Sequence, residues 1–234
     1  MARQAKGRTT QLEIVKVASE LFFEKGFTHV SARAICEIMN ISTGNLTFYF
    51  PSKDDILAVL VEELLHFQNM KMENAAEEGK SSLLAYCLEL TAMAAVCEES
   101  EIARDFYAAS YTSLLALNLI RANDTEKTRT VFREFCPDWT DCQWTATENI
   151  VSGIEYATIM TREADTPLEM QIERTLNSIL LLYGVPEELR RAKISKVLAM
   201  DYRGLGRDIL RDFREYIEKV NEENLKSTRM HCKK

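Results

Sequence analysis

Residues 41–50, ISTGNLTFYF, bring together side chains that can meet a hydrogen-bonding and an apolar surface at the same time. Thr43, Asn45 and Thr47 offer short polar groups, Gly44 offers bare backbone, and Phe48 and Tyr49 offer rings. On a helix, Leu46 and Phe50 are four apart and share a core-facing stripe. Gly44, Asn45 and Phe48 then point roughly the other way, with Thr43, Thr47 and Tyr49 on the flanks. A face that only meets water favours Lys, Glu and Gln, and Gly44 sacrifices about 1 kcal/mol of helix propensity. A missing side chain is useful where another molecule must approach the backbone. Duplex DNA suits such a face. Asn pairs bidentately with adenine, Thr and Phe meet the thymine methyl, and Tyr donates to a phosphate. The free N–H groups at a helix N-terminus face phosphates or base edges. The alternative is that Phe48 and Tyr49 are simply buried in a helical bundle.

This stretch needs a scaffold, and the flanking residues supply one. Ser31 caps a short helix over 32–39, Asn40 suits the left-handed exit, and Ser42 caps the next helix at about 43–50. Pro51 ends that helix, and Ser52 with Asp55 opens a long one that fades near NAAEEGK. Before them, Thr10-Gln11-Leu12-Glu13 reads as a capping box for a helix that stops at Gly26. Residues 31–50 thus read as a helix-turn-helix behind one supporting helix.

The segment TTQLEIVKVASELFFEKGFTHVSARAICEIMNISTGNLTFYFPSKDDIL resembles the N-terminal domain of the TetR family of transcriptional regulators. The family segment usually runs Ser-Lys-Gly-x-Leu-Tyr-Tyr-His-Phe, then a Ser-Lys-Glu-like helix start. Ser42, Gly44, Leu46, Phe50, Ser52 and Lys53 agree with it. Thr43, Thr47 and Tyr49 depart from it, standing where Lys, Tyr and His are frequent, so base preferences do not carry over. The resemblance covers roughly residues 9–60. It implies an all-α chain divided at about residue 60: a three-helix DNA-binding domain over 1–60, a long joining helix, and a larger ligand-binding and dimerisation domain over 61–225; the terminal tail over 226–234 is expected to fray. It implies a homodimer that binds a palindromic DNA operator and is released by a small apolar or amphipathic inducer. Ser31, Arg33 and Lys53 are expected to grip phosphates. Ser42 caps the reading helix, whose Thr43, Gly44, Asn45 and Phe48 are expected to face bases, with Thr47 and Tyr49 nearer the backbone. Arg3, Lys6 and Arg8 would add a flexible arm or form a charged terminus.

The other 170 or so residues also read as helices, near 82–97, 101–110, 113–122, 125–136, 141–163, 167–183, 186–200 and 204–224. Thr140–Gln143 and Thr166–Glu169 form further capping boxes. By the resemblance, two antiparallel helices dimerise. The candidate faces are Ile150, Gly153, Ile154 and Ala157 on one and Ile172, Leu176, Ile179 and Leu180 on the other, although both also suit an internal core. Tyr86, Met93, Phe106, Tyr107, Tyr111 and Trp144 are the candidate pocket lining or, equally, ordinary core residues.

Composition narrows the alternatives. Apolar residues make up 46% and charged ones 28%, as in an ordinary globular chain. No membrane span or signal-type apolar stretch is present, so the protein is expected in the cytoplasm without a membrane partner. Net charge is −7, yet residues 1–60 carry seven Lys/Arg against six Asp/Glu, so one local basic face remains compatible with a polyanion. The six cysteines lack C-x-x-C spacing and read as reduced, mostly buried thiols. Glu63-x-x-His66 is half of a di-iron carboxylate motif with no second half, and no nucleophile–base set or phosphate loop occurs, so neither enzyme, cofactor nor metal is expected. The remaining rival is a helical protein-interaction module without sequence-specific DNA binding.

Overall fold

A computed structural model describes residues 2–75, 82–161 and 166–231. All of its regular structure is helical. In chain order the helices are α1 Ala2–Lys25, α2 Ala32–Met39, α3 Thr43–Tyr49, α4 Lys53–Ala75, α5 Leu83–Glu99, α6 Glu101–Thr112, α7 Leu114–Val131, α8 Asp141–Met160, α9 Leu168–Leu182, α10 Glu187–Leu198 and α11 Tyr202–His231. Among these residues no helix is long and apolar enough to cross a membrane.

Several boundaries differ from the sequence reading, each for a local reason. Helix α1 begins at Ala2, so Thr10 lies inside a helix and cannot act as its N-cap. The preceding ARQAK run is rich in strong helix formers. The backbone of Arg3, Lys6 and Arg8 is therefore helical and not an extended arm. Helix α7 runs unbroken where two helices were expected. Thr125 and Thr128 turn their hydroxyls back to the carbonyls of Arg121 and Asp124, and no Gly or Pro interrupts the turn. Thr140 and Gln143 do form a reciprocal capping box on α8. Thr166 does not cap α9; Pro167 is its N-cap, and Glu169 instead accepts from Tyr202. Helix α11 stays helical through His231, well past the expected end near 224. Residues 76–80 of NAAEEGK, residues 162 and 163 of the expected 141–163 helix, and Cys232 lie outside the described residues.

Two apolar clusters hold the chain. One joins Ile14, Ala18 and Phe22 of α1, Ile35 of α2, Leu46 of α3 and Leu57 and Leu60 of α4 to Phe106 of α6 and to Phe213 and Ile217 of α11. The other lies among α5, α8, α9 and α10, around Leu84, Leu88, Phe132, Trp144, Leu176 and Tyr183. The first core does not stop at residue 60. Helix α11 lies along α1, with the Phe23 and Phe213 rings 5.6 Å apart, and Asn221 reaching Ser19 at 3.4 Å. Phe213 also meets Phe67 of α4 at 5.5 Å. Tyr216 donates to Glu63 at 3.0 Å, so the half-buried Glu63 is part of this packing.

Candidate functional site

The ten-residue stretch forms a short helix fixed at both ends. The Ser31 side chain accepts from the Ala34 N–H at 3.1 Å and starts α2. Asn40 takes the left-handed conformation at φ 51°, which Asn tolerates, and Ile41 N–H bonds Cys36 carbonyl at 3.0 Å. The Ser42 side chain accepts from Asn45 N–H at 3.1 Å and starts α3. Leu46 and Phe50 are buried against the first core and anchor the helix.

The opposite face of α3 is open. Thr43, Gly44, Asn45 and Thr47 are exposed, and Phe48 is 79% exposed, the most open large apolar residue described. An added Cβ at Gly44 would meet only the Ser42 hydroxyl at 4.0 Å, so the fold itself does not require glycine there. Tyr49 is half-buried. Its ring supports Phe48 edge-on at 5.1 Å, and its hydroxyl lies beside Gly7 of α1. Arg33 is exposed and holds Glu37 at 2.9 Å, a surface pair weak enough to yield.

Lys53 has another occupation. Its ammonium donates to the carbonyls of Phe27 at 2.6 Å and Val30 at 2.9 Å and sits 4.0 Å from the Phe27 ring centre. Burial lowers its pKa, with Asp105 and Asp54 pulling the other way. The residue expected on a phosphate thus closes the α1–α2 loop. That loop is also tied to α6, because Thr28 donates its N–H to Asp105 at 2.9 Å and its hydroxyl to the same carboxylate.

Four of the six expected pocket residues meet at one cavity of about 40 Å³. Tyr86, Met93, Tyr107 and Tyr111 line it with Gln68, Glu89, Asp124, Lys127 and Glu155. Phe106 faces a separate, smaller void with Phe23 and Phe213. Trp144 lines neither; it packs on Trp139 and Tyr183 in the second core, because it sits one turn into α8 on the stripe facing α9.

The polar groups on and next to the cavity escaped the sequence reading. Tyr111 donates to Glu155 at 2.8 Å, Tyr183 donates to Glu148 at 3.0 Å, and Lys127 binds both oxygens of Glu89 at 2.8 Å. Burial pushes the Glu148 carboxyl up to about 8, with Asp124 adding to it, and pushes Glu155 well above the carboxylate range for the same reasons. Although no ligating set was expected, Asp124, Glu148 and Glu155 place carboxylate oxygens within 4.8 Å of one another. A signal for them did exist. Trp144, Glu148, Val151, Glu155 and Ile159 form the buried stripe of α8, and acids on such a stripe are rare unless paired.

The two expected dimer faces part ways. On α8, Ile150 is exposed, Gly153 and Ala157 are open, and Ile154 is half-buried against the second core. On α9, Ile172, Leu176, Ile179 and Leu180 are all buried inside the chain, because that stripe fills the second core between α5, α8 and α10. The open apolar residues of α9 are Met170, Leu181 and Leu182 instead.

Comparison with known proteins agrees with the geometry of the first three helices. Residues 14–60 match the family model described as bacterial regulatory proteins, tetR family. Over 58 residues the chain is 34% identical to the HTH-type transcriptional regulator UidR of Escherichia coli K12 and equally to that of Shigella flexneri, which is 25% of this chain. The match spans about 30% of those relatives' length. Among solved structures, a gamma-butyrolactone receptor (ArpA-like protein) aligns over 91% of this chain at TM-score 0.44 and 16% identity. The TetR family protein CprB from S. coelicolor A3(2) aligns over 82%, also at TM-score 0.44 and 16% identity.

Proposed function

The chain is a TetR-family helix-turn-helix protein, and from that premise we propose that it is a DNA-binding transcriptional regulator that acts as a homodimer on a two-fold operator and answers to a small molecule. The observation that carries this reading is the open face of α3. A capped helix anchored by Leu46 and Phe50 holds Thr43, Gly44, Asn45 and the exposed Phe48 toward solvent. Such a face is the right size and chemistry for base edges in a major groove. Arg33 and the Ser31 hydroxyl stand beside it for phosphates, while Thr47 and Tyr49 flank it.

The open stripe of α8, with Ile150, Gly153, Ala157 and Met160, favours a second copy of the chain. Nothing lies within 4 Å of a Cβ added at Gly153, so a partner helix can approach closely there. Leu181 and Met170 extend the apolar surface onto α9. Two-fold pairing would present two α3 helices to successive grooves.

The cavity favours a ligand with both apolar and polar groups. At about 40 Å³ it is far below the roughly 300–1,000 Å³ of ordinary ligand pockets. Entry therefore requires neighbouring helices to separate, and binding is the same event as a shape change. Helix α4 lines the cavity through Leu64, Leu65 and Gln68, while its first residue, Lys53, closes the loop beneath α2. A tilt of α4 would change the spacing of the two reading helices.

Electrophoretic mobility and light scattering test this reading. The full chain should elute at about twice 26.8 kDa and protect a palindromic site upstream of a gene it controls. Asn45→Ala should weaken that site by about 1–3 kcal/mol and spare random DNA. A helical interaction module would show no salt-dependent DNA binding at all.

A further inference from the structure

Four acids face one another in the interior, where charge is costly. Glu148 is 1% and Glu155 4% exposed, and the Asp124 side chain is 16% exposed. Glu89 completes the set through Lys127, which holds Glu89 at 2.8 Å and Asp124 at 3.5 Å. Arg121 is the other cation beside them and donates to Ser152 at 2.9 Å. Two cations against four carboxylates leave an excess of two negative charges when all are ionised. An isolated buried carboxylate is disfavoured by several kcal/mol, so such an excess is relieved either by taking up protons or by a bound counter-cation.

The oxygens are placed for one. One carboxylate oxygen from each of Asp124, Glu148 and Glu155 lies within 4.8 Å of the other two. Oxygens around Ca²⁺ sit at about 2.3–2.6 Å, so opposite ligands are separated by roughly 4.6–5.2 Å, and adjacent ones by less. Independently of that spacing, Glu148 Oε1 is buried with no hydrogen-bond partner, while its other oxygen accepts from Tyr183. A buried carboxylate oxygen left without a donor is the feature a cation would explain. Asp124 and Glu155 also line the adjoining cavity, whose 40 Å³ has room for two or three waters at about 10–15 Å³ each to complete a coordination shell. All-oxygen donors of this kind select hard divalent ions over zinc or copper.

We propose that Asp124, Glu148 and Glu155 bind one hard divalent cation of the Ca²⁺ or Mn²⁺ class, bridging α7 and α8 beside the cavity. The site would draw Asp124 of α7 toward two turns of α8. It would also fix Tyr111 of α6 through its bond to Glu155.

The test uses the full chain, dialysed against chelator and then into chelator-free buffer, with MnCl₂ and CaCl₂ as probes. Titration calorimetry and the loss of the free Mn²⁺ electron paramagnetic resonance signal should both give one site per chain, with Kd on the order of 10–100 µM. Glu148→Gln/Glu155→Gln should weaken binding at least tenfold. The surface control Glu222→Gln/Glu223→Gln should leave it unchanged. If the double variant fails to fold by circular dichroism, Glu148→Gln alone serves, since only one of its oxygens has a partner. That variant should still weaken Mn²⁺ at least threefold. No saturable binding below about 1 mM for either ion would overturn the site, as would Mn²⁺ binding indifferent to the folded Gln variants. Binding of tetraethylammonium in their place would assign the cluster to an organic cation and equally overturn it.

Discussion

The α3 face and the acid cluster are the two chemically loaded regions of this molecule, and they are built in opposite ways. The face lies within ten consecutive residues, is open to water, and is held by two serine caps and two buried anchors. The cluster draws Asp124, Glu148 and Glu155 from two helices and is sealed by Tyr111 of α6 and by Tyr183, the C-cap of α9. A face built from consecutive residues can keep its geometry while the rest of the chain moves. A buried cluster built across helices changes whenever any of them moves. In the proposed regulator, reading DNA would call for the first property and sensing a small molecule for the second.

The largest expected effect separates anchor from reader inside α3. Leu46→Ala removes a side chain that is 3% exposed and should cost about 2–5 kcal/mol of stability. Phe48→Ala, four-fifths exposed, should leave thermal unfolding within about 0.5 kcal/mol of the parent yet reduce operator affinity at least tenfold. Denaturant melts with parallel binding titrations measure both. A large stability loss from Phe48→Ala would mean that the open ring is core after all and that the first region is not self-contained.

The next effect belongs to the cluster. Burial raises Glu148 from the ordinary 4.5 to about 8 and raises Glu155 as well, so the folded chain holds these protons more tightly than the unfolded one. Their stabilising contribution is complete below the unfolded value and is lost as pH rises through the folded values. In chelator-containing buffer, stability should fall as pH rises from about 4.5 to about 8, by on the order of 5 kcal/mol from Glu148. Glu148→Gln should flatten that slope, whereas Asn45→Ala should leave it untouched. An unchanged slope in Glu148→Gln would remove Glu148 from the titrating set.

Lys53 shows how far local reading reaches. The family resemblance implies a phosphate grip for it, but a contact 26 residues away in sequence gives it the carbonyl of Phe27. Lys53→Ala should destabilise the protein by about 1–3 kcal/mol, since two carbonyls lose a charged donor. The slope of DNA affinity against salt should stay the same. A slope shallower by about one unit, with stability intact, would return Lys53 to the phosphate.

The same distinction explains what was legible. Ser31, Asn40, Ser42 and Thr140 act within four residues of themselves, so their caps and turn could be read directly. Thr10 and Thr166 carry the same local pattern and fail: Thr10 lies inside α1, where the preceding backbone is helical, and at α9 the N-cap position falls one residue later, on Pro167. Periodicity recovered the apolar stripe of α9 but not what covers it; Ile172, Leu176, Ile179 and Leu180 fill the chain's own core. Tyr107 and Tyr111 were found for the cavity because aromatics stand out singly. Asp124, Glu148 and Glu155 were not, since an acid on a helix normally faces water and only the packing of α7 against α8 shows otherwise.

The smallest expected effect lies where the two regions touch. Asp105 of α6 accepts from the N–H and hydroxyl of Thr28 in the loop before α2, and the same helix carries Tyr107 and Tyr111 to the cavity. Asp105→Ala removes an exposed contact, so global stability should change by no more than about 1 kcal/mol. Amide exchange followed residue by residue should show the Thr28 N–H exchanging faster, because its acceptor is gone. The Asn45 and Leu46 amides should keep their protection, since Ser42 supplies their acceptors locally, through its hydroxyl and its carbonyl. Loss of protection at Asn45 and Leu46 in this variant would show that α3 depends on α6 for its own integrity. The separation between a self-contained reader and a distributed sensor would then fail at its narrowest point.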